Sequence, residues 1–245
     1  MKINEQDKQL TKLRILTAAV EVITIRGFKN ATMREIAKQA KVGDATIYNY
    51  FPTKEKVLYG YCEYVQQQVI LELKEISNFH EYTVQEQLQQ LVETNLRLWL
   101  SSREFLQQVM DLSFGTPWLG LTHIEETKRL FTAMVVDMLD AAIEAGEIPE
   151  QPYRELLPRL FWDYMSGILI YWLKDNSEGF ANTTQVIDRS MDIIANILQT
   201  GMVGKLLDLV SFLFRTHIMA HADLLKSISH SPGVAATKRR FMEGQ

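Results

Sequence analysis

The chain has 245 residues, 47% hydrophobic and 23% charged, which is too apolar for a disordered chain and long enough to bury a sizeable core. Twelve glycines and six prolines are few for this length and favour long unbroken helices, while a single cysteine excludes an internal disulfide or a multi-cysteine metal site. The net charge of −4 averages two unlike parts: residues 1–60 hold eleven Lys/Arg against six Asp/Glu, and residues 61–245 hold fifteen against twenty-four, so a +5 segment precedes a −9 body.

That asymmetry fits either a small module with a polyanionic partner or an ordinary solvated surface. The first fourteen residues have no apolar core of a signal sequence, and the longest uncharged apolar run, residues 164–173, falls well short of the ~18 residues of a membrane span. The sequence thus predicts a soluble, cytoplasmic, all-α protein with no membrane partner.

In chain order, Leu10, Leu13, Leu16, Val20 and Ile23 recur at helical spacing and end at Arg26-Gly27, a basic last turn and a glycine cap. Thr32-Met33-Arg34-Glu35 is a capping box, and Ile36, Ala37 and Ala40 give the helix after it a short apolar face. A third short segment, residues 45–51, is stopped by Pro52, and Thr53 caps a longer helix from Lys54 to about Ile76. Helix, turn, short helix and then a long helix is the helix-turn-helix arrangement. Ala37 is small where the two short helices cross, and Val42 and Ile47 plug the angle between them. Thr46, Tyr48 and Asn49 are left pointing outward.

The run Thr32-x-Arg34-x-Ile36-Ala37-x-x-Ala40-x-Val42-Gly43-x-Ala45-Thr46-Ile47-Tyr48-x-Tyr50-Phe51-Pro52-x-Lys54-Glu55 resembles the DNA-binding signature of the TetR family of transcriptional repressors. So does the first helix ending in Gly27-Phe28 a few residues before the capping threonine. The resemblance covers about residues 10–60 and departs at Lys41, where the family often has glycine at positive φ. Lysine takes that conformation at modest cost.

The resemblance implies a recognition helix at about residues 44–50, reading a double-stranded DNA operator. It implies phosphate or groove-wall contacts for Thr46, Tyr48 and Tyr50, and a phosphate clamp for Lys54. Arg34 and Asn49 stand where base edges are read, arginine suiting guanine and asparagine suiting adenine at about 1–3 kcal/mol each. Thr32, Gly43 and Ala45 complete the implied surface. Asp44 reads either as a cytosine acceptor or as a helix-start charge, and the two tyrosines either as DNA contacts or as half-buried packing.

Beyond residue 60 the pattern is helical throughout: residues 84–101, 103–112, 121–145, 153–174, 184–199 and 203–227, with no linker long enough to separate further domains. This predicts residues 1–60 as the DNA-binding domain and 61–245 as a helical effector-binding and dimerisation domain. The helices at 153–174 and 184–199 are apolar nearly all round and must be covered on both sides. The resemblance implies that they pair with their twofold mates in a homodimer, through Tyr164, Ile168, Trp172, Met191, Ile194 and Leu198.

It implies also a pocket for a small effector. Trp99, Phe105, Trp118, Phe131 and Trp162 are candidate apolar walls, and Arg97, Gln108, Asp111 and His123 candidate polar anchors. Aromatics at helical spacing are more often plain core.

Enzyme chemistry finds little support. No histidine follows a glutamate at the spacing of a di-iron site, and His217 and His221 form an i, i+4 pair without a third ligand. Gly-rich phosphate loops and Gly-x-Ser-x-Gly elbows are missing. The expectation is a ligand-responsive homodimeric repressor, with no cofactor, no metal and no catalysis. The alternative is a helical small-molecule-binding or catalytic domain carrying a vestigial helix-turn-helix.

Overall fold

The computed structural model describes residues 4–115 and 124–213. The expected sites Trp118 and His123, the pair His217 and His221, and the helical pattern beyond Leu213 lie outside them. The described residues form helices α1 (Glu5–Arg26), α2 (Met33–Gln39), α3 (Asp44–Tyr50), α4 (Lys54–Glu75), α5 (Val84–Trp99), α6 (Arg103–Gly115), α7 (Glu125–Glu144), α8 (Leu157–Lys174), α9 (Ala181–Gln199) and α10 (Val203–Leu213). Among them there is no strand, and no single helix is long and apolar enough to cross a membrane.

Local rules build the amino-terminal end. Thr32 Oγ1 accepts from Glu35 N, and the Glu35 carboxylate accepts from Thr32 N at 3.0 Å, completing the capping box. These bonds from Thr32 hold the Glu35 carboxyl below its usual range. Lys41 takes the left-handed conformation at φ 56°, while Val42 N donates to Ala37 O at 3.0 Å and Lys41 N to Lys38 O at 3.2 Å. This is a Schellman close to α2, made with lysine in the glycine position. Ala37 and Ile47 are fully buried where α2 and α3 meet, as their sizes predict.

Two apolar cores stack along α4. The first joins Leu16 and Ile23 of α1, Ile36 of α2 and Ile47 of α3 to Val57, Leu58 and Cys62 of α4. It continues without a break into Trp99, Phe105 and Val109, and reaches Trp172 on α8. Burial pushes the Cys62 thiol up to about 12, so it behaves as a small hydrophobe. The second core gathers Val69 and Leu73 of α4 with Leu88, Phe131, Val135, Phe161, Met165 and Met191. Thus α4 is shared between the two ends, and α5 and α7 both lie against it.

Two helix starts differ from expectation. Tyr153 is not helical but sits at φ 63°, and α8 starts at Leu157 with Pro158 in its first turn. Proline lacks an N–H and belongs at a helix start, which the apolar periodicity had run through. Ahead of α9, Gly179 and Phe180 both take φ 58°, and the helix begins at Ala181. Asp175 organises that corner: one carboxylate oxygen accepts from Ser177 N and Oγ, the other from Thr183 N and Oγ1 at 2.9 and 2.6 Å. These four donors hold its carboxyl far below the usual carboxylate range.

Candidate nucleic-acid interface

Helix α3 turns its apolar side inward through Ile47 and its polar side to solvent. Gly43, Asp44, Ala45, Tyr48 and Asn49 are exposed, Tyr48 by 53%, while Thr46 and Tyr50 are half-buried and Tyr50 packs on the first core. Gly43 caps α3 at φ −68°, a conformation open to any residue. Asp44 stands in the first turn of α3, where the helix dipole favours a negative charge. It also accepts from Arg34 Nε at 3.1 Å across the α2–α3 angle. Both partners are largely exposed, so the pair is worth about 0–1 kcal/mol and is readily exchanged for another anion. The structure therefore brings Thr32, Arg34, Asp44, Ala45, Tyr48 and Asn49 to the solvent side of α2 and α3.

Lys54 is placed otherwise than the resemblance implies. Its ammonium donates to Phe28 O and, at 2.7 Å, to Ala31 O, with Lys29 O at 3.4 Å, and lies 4.5 Å from the Phe28 ring centroid. The charge clamps the α1–α2 connection and faces the protein. Lys56, two residues on, is exposed, because positions i and i+2 point to different sides of a helix. Lys29, Lys38 and Lys41 are likewise exposed around the module.

Close packing sets the angle of this surface. A Cβ on Gly60 would come within 2.8 Å of the Phe51 ring, so glycine lets the residue after α3 lie directly on α4. From the body, Gln108 on α6 accepts from Phe28 N at 2.8 Å and donates to Ile23 O at 3.0 Å. The amide expected to anchor a ligand is a strap on the α1–α2 corner. At the start of α6, Arg103 donates to the carbonyls of Trp172, Leu173 and Asp175 and lies against both the Trp172 and Phe180 rings.

An apolar cavity of about 320 Å³ opens among α5, α7, α8, α9 and α10. Leu88, Val135, Leu139, Phe161, Ile194 and Leu198 line it, with Leu160 and Leu206 among its more exposed residues. Trp99, Phe105, Gln108, Asp111, Phe131 and Trp162, expected at an effector site, lie off this wall. Trp99 and Phe105 belong to the first core, and Phe131 is fully buried, stacked on Phe161 and edge-on to Trp162. Asp111 is exposed and accepts from Gln107, and Arg97 pairs with Glu72. Those aromatics fill space between helices; the wall is mostly aliphatic.

The residues expected at a dimer seam are placed unequally within one chain. Ile168, Trp172, Met191 and Leu198 are at most 4% exposed within one chain and have no surface left to offer a partner. Tyr164 and Ile194 are half-buried and line the cavity. The outer faces of α8 and α9 carry Leu160, Gly167, Tyr171 and Ile193 instead.

A capped helix-turn-helix with an outward polar α3, held on an all-helical body, defines a DNA-binding transcriptional regulator. Residues 15–59 match the family described as bacterial regulatory proteins, tetR family, and residues 87–213 match the tetracyclin repressor-like C-terminal domain. The chain belongs to the TetR family of transcriptional regulators. It is 27% identical over 174 residues to a fatty acid metabolism regulator protein of Bacillus subtilis, covering 71% of this chain and 89% of that one. Its fold is similar to GusR of Salmonella enterica, with a TM-score of 0.61 at 19% identity, covering 82% of this chain and all of the other. It is similar also to FadR of Bacillus subtilis in complex with stearoyl-CoA, with a TM-score of 0.57 at 24% identity, covering 77% and 98% of the two chains.

Proposed function

We propose that this regulator is a homodimeric repressor that releases a pseudo-palindromic operator when a small, mostly hydrophobic effector enters the body. The observation that carries this reading is the aliphatic cavity in the body, reached by the same helices on which α4 rests. Leu88 of α5 and Val135 and Leu139 of α7 line it. An effector that parts α5 from α7 moves the bed of α4, and α4 carries the module through Val57, Leu58 and the Gly60–Phe51 contact. Two copies place their α3 helices in successive major grooves about 34–36 Å apart, so a small displacement of α4 spoils the spacing. DNA and effector then weaken each other by the same factor.

The surface residues for DNA in this reading are Thr32, Arg34, Gly43, Asp44, Ala45, Thr46, Tyr48, Asn49 and Tyr50, joined by Lys56. Residues 1–60 act as the DNA-binding unit and 61–245 as the effector and dimer unit, with α4 common to both. A fatty-acid regulator and a stearoyl-CoA complex among the relatives support an apolar effector. The test is a gel shift of the full chain on DNA from upstream of its own gene. A discrete complex that an apolar ligand dissolves is the expected result; no complex even at low salt would sink the proposal.

A further inference from the structure

We infer that a second copy of the chain closes the mouth of the apolar cavity, its contact running from α8 and α9 across the mouth onto α10, so that effector binding and dimerisation are linked. This rests on the homodimer and the apolar effector proposed above and makes the partner part of the effector site.

The exposed apolar surface is continuous in one direction. Along α8, Tyr171, Gly167 and Leu160 succeed each other at helical spacing on the outer face. Leu160 of α8 and Leu206 of α10, each about two-fifths exposed, both line the cavity. From Leu206 the face continues to Leu209 and Val210, with Phe212 beyond, each of these three more than half exposed. Only Lys205 and Asp208 are charged in α10, and Val203 and Leu207 already pack on the second core from its inner side. A helix apolar nearly all round is covered on both sides.

The charges beside this face favour a second copy as the cover. Asp163 sits between Leu160 and Gly167 on α8, and Arg189 one turn before Ile193 on α9. Both are exposed, and neither forms an ion pair among the described residues. The Tyr164–Ser190 hydroxyl contact of 2.7 Å joins the two helices beside them. In a twofold interface each surface meets itself, so one acidic and one basic group on the same face can be mutually satisfied. The same closure removes water from an apolar cavity whose rim is leucine.

The experiment uses the full chain and N-phenyl-1-naphthylamine, an uncharged apolar fluorophore, titrated at protein concentrations spanning the dimer dissociation constant measured by sedimentation. Probe affinity is expected to rise with the dimer fraction, and saturating probe to tighten the dimer by the same factor. Leu209→Glu with Phe212→Glu, and separately Ile193→Glu, are expected to weaken dimer and probe binding together by about tenfold or more, with helix content unchanged. Probe binding equal in monomer and dimer, or α10 variants that dimerise as wild type, would overturn the inference and point to residues 214–245 or another protein as the cover. A wild-type protein that binds no probe at any concentration, or Leu139→Trp binding it as wild type, overturns the cavity as an effector site and the inference with it.

Discussion

Lys54 and Tyr48, six residues apart, have separable work. The Lys54 ammonium is the shared donor for the carbonyls of Phe28 and Ala31, and Ala31 is buried. Lys54→Met leaves those carbonyls without a charged donor, so the expected loss is about 1–3 kcal/mol of stability, read as a lower Tm in thermal unfolding. Tyr48 projects to solvent from α3 with 53% of its surface free. Tyr48→Ala is therefore expected to change stability by less than about 0.5 kcal/mol while weakening operator binding by about tenfold or more. If Tyr48→Ala lowers Tm as far as Lys54→Met does, the division between clamp and reader is wrong.

At the scale of helices, what was legible depended on how local the rule was. The capping box at Thr32, the close of α2 at Lys41 and the stop at Pro52 are set by neighbours in sequence, and the reading module was foreseeable from them. Even Lys54 was singled out, but its direction was not, because that depends on carbonyls twenty-three to twenty-six residues away. Which side of α8 faces its own chain is not legible in the sequence, for a geometric reason. A helix apolar on most sides does not say which side meets its own chain, and contact with α7 and α9 decides it. The apolar cavity draws its wall from five helices, and leucines on a cavity wall look like leucines in a core. Gly60 belongs to the same class: nothing in its sequence context distinguishes it, yet the Phe51 ring would lie 2.8 Å from an added Cβ. Replacing a helical glycine with alanine ordinarily gains about 1 kcal/mol. Here overpacking against a buried ring is expected to outweigh that, at about 1–3 kcal/mol, and to shift α3 against α4. Gly60→Ala is thus expected to lower Tm and operator affinity together. A variant more stable than wild type would show that the Phe51 ring moves aside freely.

For the whole molecule, the −4 net charge is a poor guide to its partner, since the module carries +5 and the body −9. Association with DNA is governed by cations that reach phosphates, each releasing condensed counterions, so log K falls against log salt with a slope of about −0.9 per contact. Lys54 is turned to the protein's own carbonyls, leaving exposed lysines such as Lys38, Lys41 and Lys56 to supply that term. Lys56 stands two residues inside α4, beside Tyr50 and Pro52 on one cleft. Lys56→Gln removes one phosphate contact per subunit, so a dimer is expected to lose about two units of slope, one for each copy. It is expected to weaken operator and non-operator DNA alike, since a phosphate contact carries no base information. Neutralising an acidic residue of the body away from the DNA, such as Asp137, is expected to leave the slope unchanged despite raising the net charge by the same amount. Binding measured by fluorescence anisotropy between about 50 and 200 mM salt separates the two. A Lys56→Gln slope equal to wild type places Lys56 away from the phosphates, and a change of slope in Asp137→Asn equal in size and opposite in sign would return the explanation to net charge.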